Sequence, residues 1–133
     1  MSGTRRAPRS RLIVVVDDDR LVLEAMGGLL RGWGYEVVTA VSDFRARELL
    51  ASEARRPDLI ICDYHLTAGV TGLEAIARLR GGSEIPAFII TAETSGELML
   101  EGEARNIRVL RKPVTPAQLR GALREALGKA VRR

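Results

Sequence analysis

A chain of 133 residues with 46% hydrophobic and 29% charged content has the size and make-up of one globular domain. No apolar run approaches the roughly 20 residues of a membrane-spanning helix, which argues against a membrane partner, and the N-terminus lacks the apolar stretch of a secretory signal. One cysteine cannot form an internal disulfide, so a reducing, cytoplasmic setting is expected.

The formal net charge of +4 invites a nucleic-acid partner, but the charge is unevenly placed. Arg5, Arg6, Arg9 and Arg11 precede the first apolar run, and Lys129, Arg132 and Arg133 close the chain. The span 12–128 holds the other 14 basic residues and all 17 acidic ones, a net of −3. The basicity belongs to the tails, so no nucleic-acid partner is expected.

The opening MSGTRRAPRS is polar, aperiodic and contains Pro and Gly, so residues 1–11 read as a disordered basic lead or linker. LIVVV (12–16) is an unbroken apolar run, as expected of a parallel strand buried on both faces. A helix over 21–33 sets Val22, Met26, Leu29, Leu30 and Trp33 on one face and stops at Gly34. EVVTA (36–40) is the second strand. The helix over 43–54 takes Asp43 as N-cap and turns Phe44, Ala46, Leu49 and Leu50 inward. DLIIC (58–62) is the third strand, followed by a helix over 71–80 that opens with Thr71 and Glu74 at capping-box spacing. AFII (87–90) is the fourth strand. The next helix, 95–105, is the weakest, because Gly96 and Gly102 each lower its propensity by about 1 kcal/mol. That weakness is either incidental or the mark of an element that shifts between states. IRVL (107–110) is the fifth strand. A last helix, 115–131, has Thr115 as N-cap, Pro116 at its first position and Leu119, Leu123 and Leu127 on its core face.

A five-fold β-α alternation with right-handed crossovers predicts a doubly wound, three-layer α/β sandwich. In such folds a site forms beyond the carboxyl ends of the strands. Strand one delivers Asp17, Asp18 and Asp19 there, strand three Asp63, strand four Thr91 and strand five Lys112. Converging carboxylates raise one another's pKa unless a cation sits among them, and oxygen-only ligands suit a hard ion such as Mg²⁺. A hydroxyl and a lysine beside such an ion are groups suited to phosphoryl transfer.

The set VVVDDD, DLIICDYHL, ITAE and RKP, in this order, resembles the CheY-like receiver domain of bacterial two-component response regulators. The likeness covers 12–131, the expected domain. It implies a five-stranded parallel sheet of flavodoxin-like order 2-1-3-4-5. It further implies that Asp63 is the phosphoacceptor, charged from a phosphohistidine of a sensor kinase or phosphotransfer domain. By the same resemblance Asp18 and Asp63 bind Mg²⁺ directly, Asp17 holds it through water, and the His65 main-chain carbonyl completes the protein ligands. Thr91 matches the switch hydroxyl, with the Ala92 backbone N–H beside it, and Lys112 matches the lysine that pairs with the phosphoryl group. Lys112–Pro113 matches a bond typically cis in the family. His65 and Glu93 fall where side chains tune access of hydrolytic water. The face built from 95–131 is the expected output surface, through which a homodimer could also form. A protein of this kind is a signalling phosphoacceptor, acting as catalyst only on its own phosphorylation and dephosphorylation.

Three positions depart from the commonest pattern. Thr67 stands where a proline often follows the acceptor strand, the loop DYHLTAGVTG is one residue longer than the shortest version, and Val109 replaces a switch aromatic. Longer loops of this type resemble those of receivers attached to hybrid sensor kinases. Cys62 reads as an inert buried thiol. A competing reading is a haloacid-dehalogenase-like phosphohydrolase with Asp17 as nucleophile and Asp19 as acid/base. Against it, position 21 is Leu, and no acidic pair follows the lysine strand. A flavodoxin-like electron carrier is opposed by the three aspartates, which would repel a flavin phosphate. Asp19 itself reads as the cap of the first helix.

Overall fold

The computed structural model describes residues 10–128; most of the expected lead (1–9) and the end of the expected last helix (129–131) lie outside them. Five strands form one parallel sheet: β1 (Leu12–Val16), β2 (Glu36–Ala40), β3 (Leu59–Asp63), β4 (Ala87–Thr91) and β5 (Ile107–Arg111). Their order is β2-β1-β3-β4-β5, as the resemblance implies. The helices are α1 (Arg20–Gly32), α2 (Asp43–Glu53), α3 (Gly72–Arg80), α4 (Gly96–Ala104) and α5 (Pro116–Leu127), with a short 3₁₀ turn at Thr67–Gly69. No helix among the described residues is long and apolar enough to cross a membrane.

The unbroken apolar runs are explained by coverage on both faces. Val14, Val16, Ile60, Cys62 and Ile89 face a core closed by α2, α3 and α4, through Ala46, Leu50, Ile76 and Leu98. Ile13, Val15, Leu59, Ile61 and Phe88 face a second core closed by Leu23 and Leu30 of α1 and Leu119 and Leu123 of α5. Each large side chain so buried contributes about 1.5–3 kcal/mol, enough to make the sheet the rigid base of the site. Ser10 and Arg11, expected in the lead, lie against this base: the Arg11 carbonyl accepts from Glu36 N–H at 3.0 Å and the Ser10 carbonyl from Arg55 at 3.1 Å.

Three local expectations are corrected. The N-cap of α2 is Ser42, whose Oγ accepts from Arg45 N–H at 3.1 Å. Asp43 is instead a buried carboxylate that reaches Arg78 at 3.5 Å and ties α2 to α3. Because Asp43, Ala46 and Leu50 form the buried stripe, Phe44, about 100° further round the helix, points outward and is 61% exposed. In α1 the stripe centres on Leu23, Gly27 and Leu30, and the expected Val22, Met26, Leu29 and Trp33 flank it half-buried. The other caps stand as read: Thr71 and Thr115 each form a full capping box, and Gly34 follows α1 with φ +99°.

Gly102 has a packing reason. A Cβ there would lie 2.8 Å from the Ile107 carbonyl oxygen and 3.1 Å from Val109 Cγ2, so the glycine lets α4 sit close against β5. The residue that weakens the helix in isolation is the one that seats it.

Candidate functional site

The abrupt end of each buried strand places its next polar residue at the carboxyl edge of the sheet. β3 runs one residue further than expected, so Asp63 is its last residue, registered opposite Ile90 of β4. Asp17, Asp18 and Asp63 converge there, each offering a carboxylate oxygen within 4.8 Å of the others. Lys112 Nζ donates to Asp63 Oδ1 at 2.9 Å.

The three aspartates after β1 have separate jobs. Asp17 is only 7% exposed, and its Oδ1 accepts from Asp19 N–H at 2.9 Å. Burial holds its carboxyl above the ordinary value, Asp63 and Asp18 add to this, and the Asp19 N–H and Lys112 oppose it. Asp18 is exposed and accepts a hydrogen bond from Thr67 Oγ1 at 2.9 Å. Asp19 caps α1, accepting from Leu21 N–H at 2.9 Å and Val22 N–H at 3.4 Å. This cap is as expected, and it removes Asp19 from the acid/base role that the phosphohydrolase reading requires.

The hydrogen bond to Asp63 holds the Lys112 ammonium above its ordinary pKa, against a smaller opposing effect of burial. Lys112 N–H also donates to the Thr91 carbonyl at 2.8 Å, and Lys112–Pro113 is cis. Thr91 is 2% exposed; its hydroxyl donates to the Glu93 carbonyl at 3.0 Å and accepts from Glu93 N–H at 3.2 Å. Ala92, Glu93 and His65 are exposed, and the His65 ring meets Tyr64 edge-on, with centroids 4.8 Å apart. Burial raises the Cys62 thiol, whose Sγ donates to the Asp63 carbonyl at 3.3 Å, in keeping with an inert role.

Two residues gain importance that the sequence did not announce. Gly72 donates to the Tyr64 carbonyl at 2.6 Å, and a Cβ at Gly72 would lie 2.6 Å from the Asp63 carbonyl oxygen. The start of α3 thus presses on the backbone at the end of β3. The Thr-Gly pair after a turn was the available signal, but it reads equally well as a plain helix start. Thr67, noted only as a departure, is hydrogen-bonded into the carboxylate cluster.

A doubly wound sheet with clustered carboxylates, a hydroxyl and a lysine at its carboxyl edge defines a class of α/β domain equipped to handle phosphoryl groups. Comparison with known proteins makes the class specific. The chain belongs to the response regulator receiver domain family, whose family model matches residues 13–124. It is 32% identical over 116 residues to the phyllosphere-induced regulator PhyR of Methylorubrum extorquens, covering 86% of this chain and 43% of that protein. It is 34% identical over 116 residues to the DNA-binding response regulator MtrA of Mycobacterium tuberculosis, covering 86% and 50%. The chain thus spans half or less of the length of these relatives. Among solved structures it is similar to the chemotaxis protein CheY4 of Vibrio cholerae, with TM-score 0.75, 32% identity and coverage of 89% and 99%. A response regulator receiver protein of Burkholderia phymatum gives TM-score 0.74, 30% identity and coverage of 89% and 95%. The chain is therefore a receiver domain of two-component signalling, and the phosphohydrolase alternative finds no support.

Proposed function

We propose that Asp63 is the phosphoacceptor. One carboxylate oxygen attacks the phosphorus of a phosphohistidine on a sensor kinase or phosphotransfer domain. The P–N bond breaks, and its electron pair stays with the departing imidazole nitrogen. The observation that carries this reading is Lys112 Nζ, 2.9 Å from Asp63 Oδ1, beside the carboxylates of Asp17 and Asp18. The ammonium anchors one oxygen of Asp63 and meets the charge of the incoming phosphoryl group.

Three hard oxygen donors within 4.8 Å of one another, balanced by a single lysine, fit Mg²⁺. Asp18 and Asp63 would hold it directly, Asp17 through water, and the His65 carbonyl would add a fourth protein contact. When bound, it supplies divalent charge to the phosphoryl oxygens.

Phosphorylation at Asp63 offers the Thr91 hydroxyl a charged acceptor in place of the Glu93 carbonyl, with the Ala92 N–H as a second donor. Because Lys112 N–H is bonded to the Thr91 carbonyl, a shift at Thr91 passes into the β5–α5 connection. The face of α4, β5 and α5 is then the output surface, for a protein partner or a second copy of the chain. Val109, packed beside Gly102, stands where an aromatic switch would otherwise swing. Coupling therefore runs through movement of α4 rather than through an aromatic rotamer. The exposed side chains of His65 and Glu93 flank the site and tune access of hydrolytic water.

The domain is read as 12–131, a phosphoacceptor with no other substrate, working in the cytoplasm. MtrA is by name DNA-binding, so the expected lack of a nucleic-acid partner applies to this domain and not to any longer protein that contains it.

The test is incubation with Mg²⁺ and acetyl phosphate. A hydroxylamine-labile phosphoryl adduct is expected, absent in Asp63→Asn. Uptake by Asp63→Asn at the wild-type rate would sink the assignment.

A further inference from the structure

We propose that Thr67 is a positioning residue that holds Asp18 as a one-oxygen ligand and thereby biases the site toward Mg²⁺ over Ca²⁺. This rests on the reading of Asp17, Asp18 and Asp63 as the cation site.

Thr67 is exposed, yet its hydroxyl spans 49 residues of sequence to donate to Asp18 Oδ2 at 2.9 Å. The loop that carries it is built to hold that position. Leu66 N–H donates to the Val70 carbonyl at 3.1 Å, His65 bridges to Thr71 across the loop, and Gly72 N–H donates to the Tyr64 carbonyl at 2.6 Å. Ala68 takes a left-handed backbone conformation, φ +66°, that a non-glycine residue adopts only at a cost. At its far end the loop passes straight into the capping box of α3. A freely hanging loop would not retain these restraints. Thr67 therefore presents its hydroxyl from a framework anchored at both ends.

The consequence for a cation follows from ligand counting. With Oδ2 accepting from Thr67, Asp18 is turned to offer its other oxygen, and two-oxygen coordination would have to compete with that hydrogen bond. Mg²⁺ takes six ligands in a compact octahedron and is content with single carboxylate oxygens, whereas Ca²⁺ takes six to eight at longer range and gains from two-oxygen carboxylates. Hydrogen bonds that orient a ligand typically change metal affinity by about 10–100-fold when removed. Thr67 thus supplies orientation that Asp18, exposed and on a flexible side chain, lacks by itself.

Isothermal titration of the phosphate-free protein with MgCl₂ and, separately, CaCl₂ tests this without any phosphodonor. In Thr67→Ala, Mg²⁺ affinity is expected to fall about tenfold while Ca²⁺ affinity falls less or rises. Thr67→Ser, which keeps the hydroxyl, restores the wild-type ratio. An unchanged Mg²⁺/Ca²⁺ ratio in Thr67→Ala, including an equal loss of both ions, overturns the inference, since a merely structural loop residue would act on both alike. Failure of the wild-type protein to bind Mg²⁺ at all overturns the underlying site reading and the inference with it.

Discussion

Two loops flank the candidate site, and they are built in opposite ways. The β3–α3 loop is pinned throughout: a bridge at His65 and Thr71, a bond from Leu66 to Val70, contact of Gly72 with the Asp63 backbone, and a full capping box into α3. The β4–α4 loop has far less. Residues 92–97 are all exposed, Ser95 alone caps α4, and only Leu98 and Gly102 of that helix are buried, with Met99 and Leu100 open to solvent. Under the proposed function the pinned loop borders the metal ligands, which need preorganisation, and there rigidity is useful. On the same reading the other loop leads to the output face, which must take up two arrangements and so suits an element of low local stability. Under the proposed function, reception and transmission of the phosphoryl signal fall to different loops.

Substitutions should break this comparison in graded steps. Gly72→Ala forces a Cβ against the Asp63 carbonyl and is expected to cost about 3 kcal/mol, near the upper end for overpacking. The midpoint of urea unfolding reads it, and a cost below about 1 kcal/mol would show that the pinned loop yields easily. Mg²⁺ at a hundred times its dissociation constant should stabilise the wild-type fold by about 2.7 kcal/mol, lost again on chelation. Asp17→Asn sharpens that result. Burial disfavours the ionised Asp17, so its charge costs stability above its raised pKa, and that cost shrinks as pH falls from there and is gone below the ordinary carboxylate value. The Asn variant, metal-free at pH 7, should therefore melt above the metal-free wild type and gain less from Mg²⁺. A lower melting point would mean that the carboxylate charge is already compensated.

On the looser side, Gly102→Ala sets a gain of about 1 kcal/mol in helix propensity against a clash of about 1–3 kcal/mol with Ile107 and Val109. A net loss of about 1 kcal/mol is expected, together with faster hydrogen exchange across α4. The smallest effect is Gly96→Ala. Nothing lies within 4 Å of the added methyl, so a gain of about 0.5 kcal/mol is expected. If that gain also slows the phosphorylation-dependent change at α4, the softness of the helix serves the switch.

Much was legible because it depends on short-range physics. Unbroken Val/Ile runs specify strands covered on both faces, and the turn after each run fixes which polar residue stands at the carboxyl edge, so Asp17, Asp18, Asp63, Thr91 and Lys112 could be placed together in advance. The capping boxes at Thr71 and Thr115 follow equally from spacing. What failed depends on neighbours. Ser42 and Asp43 are both good caps locally, and Ser42 takes the role because Arg78 of α3 draws Asp43 into the α2–α3 interface. Phe44 is apolar, yet the stripe set by Asp43, Ala46 and Leu50 turns it outward. The need for glycine at 72 and 102 arises where separate elements approach to contact, a distance that no local pattern encodes.

The sequence by itself determined the parallel sheet, its helices and the chemistry at its carboxyl edge, since periodicity and capping act within a few residues. Only the tertiary structure decided that Thr67 reaches Asp18, that Lys112 grips Asp63, and that one flanking loop carries far more restraints than the other. Those are contacts between residues far apart in the chain, and their energies exist only once the fold has brought them within hydrogen-bonding distance.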